Sequence, residues 1–150
     1  MAFDGQSRVD AIQKELRAAK LDGWLFYDFR ASDPLAYGIL GLPPKVHATR
    51  RWYYWVPAKG APVKIVHMIE RGNLDHLPGE RKVYAPWPEQ HAHLKATLGK
   101  ARRVAMQYSP NNAVPYLSRV DAGTIELIRS FGIEIVTSGD LVAQFEAVWT

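Results

Sequence analysis

Glu89, His91 and His93 bring together residue types that bind zinc or a dinuclear metal pair. On a helix, at about 100° per residue, Glu89 and His93 share a face and His91 points away, so the segment presents two ligands at most. Asp75 and His76 are adjacent on a turn and diverge in the same way. No HExxH or calcium-loop spacing occurs, so no metal site built by this chain is expected. None of Ser7, Ser32, Ser109, Ser118, Ser130 or Ser138 sits in a GxSxG elbow. The chain has no cysteine, which removes disulfides, thiolate zinc sites and a Cys nucleophile together. Gly38 and Gly41 lack the lysine of a phosphate loop. No catalytic residue is assigned.

The unusual string is Arg50-Arg51-Trp52-Tyr53-Tyr54-Trp55, two cations beside four aromatics. In a strand, Arg51, Tyr53 and Trp55 face one way and Arg50, Trp52 and Tyr54 the other. One reading is a surface on which bases stack, at about 1–3 kcal/mol per base. The other is packing of the rings under helices with their polar tips satisfied. The second is the commoner arrangement, and no RNA-binding glycine-aromatic motif accompanies the string, so a nucleic-acid partner is not expected. Net charge is +4, and between Asp33 and Glu70 there is no acidic residue, while Lys45, Arg50, Arg51, Lys59 and Lys64 supply +5. Such a stretch attracts an anionic partner, or simply guards a basic edge strand against aggregation.

The elements that position these residues fit in one domain, since 150 residues with 47% hydrophobic content leave no room for a second. The longest unbroken aliphatic or aromatic runs are four and five residues, Trp24 to Tyr27 and Trp52 to Val56, against about 20 for a membrane span. Charges interrupt the first twenty residues, so no secretory core exists, and a cytoplasmic protein is expected. Val9, Ile12, Leu16 and Ala19 define a helical face, with Ser7 as the expected N-cap and Gly23 after its end. Trp24–Phe29 reads as a strand buried on both faces. Asp33-Pro34 starts a short helix to about Leu40. Trp52–Val56 and Val63–Ile69 form a hairpin around a long Pro-rich loop, Glu70–Leu77 one or two helical turns, and Lys82–Ala85 a short strand.

A helix over Pro88–Leu98 precedes strand Arg103–Tyr108, helix Thr124–Phe131 and strand Ile133–Thr137, the last pair a parallel crossover. Leu141–Trp149 closes as a helix. Its apolar stripe of Leu141, Phe145 and Val148 is still running at Trp149 with no cap beyond, so the natural chain is expected to continue past Thr150. Alternating strands and helices with one inserted hairpin predict a three-layer α/β domain on a mixed sheet.

In this order, the WLFYDF strand, the SDPLAY turn, the RRWYYWVPAKGAPVKIVH hairpin with Pro57, Gly60 and Pro62, and the ending VDAGTIELIRSFGIEIVTSGDLVAQFEAVW resemble the N-terminal domain of the creatinase, prolidase and aminopeptidase P family over residues 8 to 149. The chain departs from that pattern at Asp33, where the family commonly has Asn before the turn tyrosine, here Tyr37, and at Gly41, which comes late. The resemblance implies a noncatalytic domain preceding a "pita-bread" metallopeptidase domain. That absent C-terminal domain would hold two divalent ions (Mn, Co or Zn) and hydrolyse Xaa-Pro bonds.

The resemblance further implies a domain that mediates dimers or tetramers and lends a loop to the rim of a neighbouring active site, and self-association as a homodimer is expected for this chain. Expected rim or partner contacts are Lys45 and His47 in the Gly41–Thr49 segment, with Arg50, Arg51, Trp52 and Tyr54 beside them. The competing expectation is a stand-alone binding module that uses the basic aromatic hairpin for an anionic partner.

Overall fold

All six residues of β1 (Gly23–Asp28) are buried, as its unbroken apolar run requires for a strand covered on both faces. The computed structural model describes residues 3–43 and 49–146. Beside β1, β2 (Trp52–Pro57) runs antiparallel, Phe26 opposite Tyr54 and Leu25 opposite Trp55. β3 (Val63–His67) pairs antiparallel with β2, and β4 (Glu80–Tyr84) parallel with β3. On the other side of β1 lie β5 (Arg103–Met106) and β6 (Glu134–Thr137), both parallel. The sheet is mixed and six-stranded, ordered β4-β3-β2-β1-β5-β6.

The helices α1 (Gly5–Ala18), α2 (Pro34–Ile39) and α5 (Gly139–Glu146) cover one face. There Val9, Ile12 and Leu16 meet Trp24, Phe26, Trp52 and Tyr54. On the other face α3 (Trp87–Leu98) and α4 (Ala122–Arg129) set Leu94, Leu98, Ile125 and Ile128 against Leu25, Tyr53, Trp55 and Ile65. Two cores on one sheet make the three-layer α/β domain that the element order predicts. Gly23 lies under the Trp55 indole so closely that a Cβ would sit 2.1 Å from Cη2. The hairpin loop is tied to α1, because Gln13 Nε2 donates to the carbonyls of Pro57 and Gly60 at 2.9 and 2.7 Å.

Three local expectations change, and a fourth falls outside the described residues. The N-cap of α1 is Asp4, whose carboxylate accepts from the N–H groups of Gln6 and Ser7, while Ser7 lies inside the helix and donates its hydroxyl to Asp4. Met68–Glu70 is a 3₁₀ turn followed by further turns rather than α-helix, since Glu70 engages Thr49 and Arg50 across the chain. The basic hairpin is not an edge, because β2 lies between β1 and β3, and the charged edge is β4 with Glu80, Arg81 and Lys82. The closing helix is described as far as Glu146, so Val148 and Trp149 lie outside the described residues.

Candidate functional site

Five of the six strands run parallel, so their carboxyl ends share one edge of the sheet with the start of β2. From β1 the chain steps outward to β4, then returns through α3 to β5 on the other flank of β1. Strand order therefore reverses between β1 and β5, the place where open α/β sheets form a crevice. A cleft of about 690 Å³ lies there, lined by Tyr27, Phe29, Ser32, Arg51, Arg119 and Asp121 among others. A second cleft of about 260 Å³ shares Phe29 and Arg51 and adds Arg50, His67 and Trp87.

This edge also concentrates the exposed apolar side chains: Phe29 (42% exposed) follows β1, Met68 and Ile69 follow β3, Trp87 (62%) follows β4, and Val114 and Tyr116 follow β5. The Arg51 guanidinium makes no hydrogen bond or ion pair among the described residues, where the two ion pairs are Arg81–Asp75 and Arg103–Glu134. Arg119 donates to the Tyr116 carbonyl at 3.0 Å and lies over the Tyr116 ring. Asp121 caps α4 through the Thr124 N–H and hydroxyl, at 2.9 and 2.8 Å. Burial works to raise its pKa, but these bonds and one from Tyr27 outweigh it and hold the carboxylate below its ordinary value.

A buried polar network sets the floor of the edge. Asp28 accepts from the N–H groups of Ala31 and Asp33, both at 2.9 Å, and from the Tyr37 hydroxyl at 3.3 Å. Asp33 caps α2 through the Leu35 and Ala36 N–H groups and receives the Gln107 amide at 2.8 Å. Gln107 in turn accepts from the Trp24 indole and the Ser138 hydroxyl. Both carboxyl groups are fully buried, and that burial raises their pKa values despite the donors around them.

Of the residues expected at a rim, Arg50 and Arg51 stand on this edge. Trp52 (2% exposed) and Tyr54 (0%) do not, because their rings complete the core under α1 and α2, and the Tyr54 hydroxyl donates to the Pro78 carbonyl. Tyr53 and Trp55 are likewise buried, so the four rings offer no stacking surface for bases. Lys45 and His47 lie outside the described residues. Sequence reasoning missed Phe29, Trp87 and Arg119; a Trp directly after Pro86 at a helix start was the available signal, and Arg119 had none.

Glu89 and His93 share a face of α3, yet each meets the backbone at the end of β4: Glu89 accepts from the Ala85 N–H at 2.9 Å and His93 Nε2 bonds the Val83 carbonyl at 3.0 Å. His91 stacks edgewise on Trp87, with burial first and the charge of Arg51 second lowering its pKa. Among the described residues no three His, Asp or Glu side chains converge, so they do not fit a two-metal centre.

No protein-family model matches the chain, and no curated protein matches it by sequence. Solved structures do. The creatinase/prolidase N-terminal domain of an X-Pro dipeptidase from Streptococcus pyogenes superposes with a TM-score of 0.68 at 15% identity, covering 92% of this chain and 98% of that one. The fold is the creatinase/prolidase N-terminal domain. A second isolated domain of this fold, from the cytoplasmic peptidase PepQ of Mycobacterium tuberculosis, gives 0.58 at 12% identity over 93% of this chain and 98% of that one. Prolidase from Pyrococcus horikoshii gives 0.62 at 14% identity, covering 91% of this chain and 33% of that one. The chain thus spans the creatinase/prolidase N-terminal fold and about a third of the length of that prolidase. No helix among the described residues is long and apolar enough to cross a membrane.

Proposed function

We propose that this chain is the noncatalytic N-terminal domain of an Xaa-Pro dipeptidase-like metallopeptidase, acting in self-association and in covering a neighbouring active site in the cytoplasm. The observation that supports the reading is coverage: the chain superposes over nearly all of an isolated N-terminal domain of an X-Pro dipeptidase and over about a third of a prolidase chain. In this reading a C-terminal domain of the parent protein supplies two divalent ions, Mn, Co or Zn, as the water-activating centre. The carboxyl edge of the sheet, with Arg50, Arg51, Phe29 and Trp87, is the surface turned toward the covered site. The Arg51 guanidinium, without a partner among the described residues, and the exposed rings suit a surface that binds another protein body.

The test is expression of the complete product of the native locus, assayed on Xaa-Pro dipeptides with added manganese. Metal-dependent turnover in the complete product, with a raised KM in its Arg51→Ala variant and an unchanged circular-dichroism spectrum, is expected. A native product that ends at Thr150, or one without Xaa-Pro turnover, refutes the reading.

A further inference from the structure

Among the described residues, the strand β6 pairs with β5 alone. Its ladder runs from the Glu134 N–H to the Arg102 carbonyl at 2.7 Å and from the Ser138 N–H to the Met106 carbonyl at 3.0 Å. In a parallel pair every second residue faces the neighbour, so Glu134, Val136 and Ser138 turn their backbone groups to β5 while Ile135 and Thr137 turn theirs outward. Those outward N–H groups meet no backbone partner among the described residues.

The two edges of the sheet are built differently. Outward-facing Arg81 and Val83 of β4 stand among Glu80, Arg81 and Lys82. An antiparallel copy of β4 centred on Arg81 sets Arg81 against Arg81 but Glu80 against Lys82, and one centred on Lys82 sets Lys82 against Lys82, so this is a strongly charged edge. The β6 sequence is Glu-Ile-Val-Thr, with no proline, no lysine and one charge, Glu134, which Arg103 approaches at 3.7 Å.

We propose that β6 pairs antiparallel with β6 of a second copy of this chain, about a two-fold axis at Val136, so that the two sheets become one. This rests on the self-association reading above and names its interface. Outward residues must oppose outward residues, which sets Ile135 against the partner's Thr137 and Thr137 against the partner's Ile135, each pair exchanging both backbone bonds. Val136 then faces the partner's Val136, and Glu134 faces the partner's Ser138. No like charges meet, and the three central residues on each strand are β-branched, the side chains that suit cross-strand contact.

Sedimentation equilibrium to about 100 μM, combined with amide hydrogen exchange, tests this. A dimer is expected whose Ile135 and Thr137 amides gain protection as concentration rises. Thr137→Pro, which removes an outward N–H and leaves the β5 ladder intact, and Val136→Lys, which sets two cations face to face, should each weaken dimerisation at least about tenfold. A dimer that survives both substitutions, with both amides exchanging freely, overturns the β6 interface and leaves self-association standing. A monomer throughout overturns both. Should either variant fail to fold, the concentration dependence of exchange at Ile135 and Thr137 in the unaltered chain decides alone.

Discussion

The indole N–H of Trp24 donates to the side-chain oxygen of Gln107 at 2.7 Å, and that single bond sets the direction of a buried chain of hydrogen bonds. An indole can only donate, so the Gln107 oxygen must face it and the Gln107 amide must face Asp33. Asp33 is thereby required to accept on both oxygens, one toward the start of α2 and one toward β5.

Asp33→Asn places an amide group against the Gln107 amide, donor against donor. A loss of about 1–3 kcal/mol in urea unfolding is expected, the cost of an unsatisfied buried group. Trp24→Phe frees Gln107 to turn over, with the Ser138 hydroxyl then accepting. The double variant should consequently lose less than the sum of the two single losses. Strict additivity would dissociate Trp24 from the orientation of Gln107.

Acid sensitivity should come from Asp22 rather than from the buried pair. Bonds from the Arg103 and Arg102 N–H groups hold the Asp22 carboxyl below its ordinary value, so its contribution is complete above about pH 4 and is lost as pH falls through the lower folded-state value. Asp28 and Asp33 have the opposite sign: their raised values make the folded state the better proton acceptor, so their contribution to stability grows as pH falls through those values. Asp22→Asn should narrow the gap between urea midpoints at pH 7 and pH 3. An unchanged gap would remove Asp22 from the account.

Gly23 cannot accept a side chain without moving the Trp55 ring. Gly23→Ala is expected to cost about 1–3 kcal/mol through overpacking, read as a lowered melting temperature with the near-ultraviolet tryptophan signal altered. Gly38, with nothing within 4 Å of a built Cβ, is the control: Gly38→Ala on α2 should be neutral or stabilising.

Residues 1–150 alone should hydrolyse no Xaa-Pro substrate with manganese, cobalt or zinc, because Glu89 and His93 are engaged with the backbone of β4. Metal-dependent turnover that disappears in Glu89→Ala or His93→Ala would reverse this assignment.

What the sequence discloses depends on how local the signal is. The buried character of β1 is carried by Trp24–Tyr27 themselves, and the start of α2 by Asp33-Pro34, a cap beside a residue without an N–H. The interior position of β2 is not local. Its flanking arginines suggest an edge, but pairing with β1 on one side and β3 on the other decides it. The α1 cap illustrates a narrower ambiguity, since Asp4 and Ser7 are both capping residues and the carboxylate reaches two N–H groups. At the site, Arg50 and Arg51 are legible from composition. Arg119 is not, because only the return of the chain to β5 brings it beside Arg51 in the cleft at β1.

The order in which the strands neighbour one another also bears on how the chain reaches its native state. The pairs β1–β2, β2–β3 and β3–β4 each join consecutive segments, whereas the β1–β5 contact, Gly23 opposite Val104, closes a loop that contains the whole of that meander. Loop closure of that length comes late, after local pairings have shortened it. Substitutions in the β2–β3 hairpin should therefore slow refolding, while those at the β1–β5 seam should mainly hasten unfolding. The seam between β1 and β5, which joins the half of the sheet that carries the unguarded β6 edge to the rest, should thus be the last to close and the first to open.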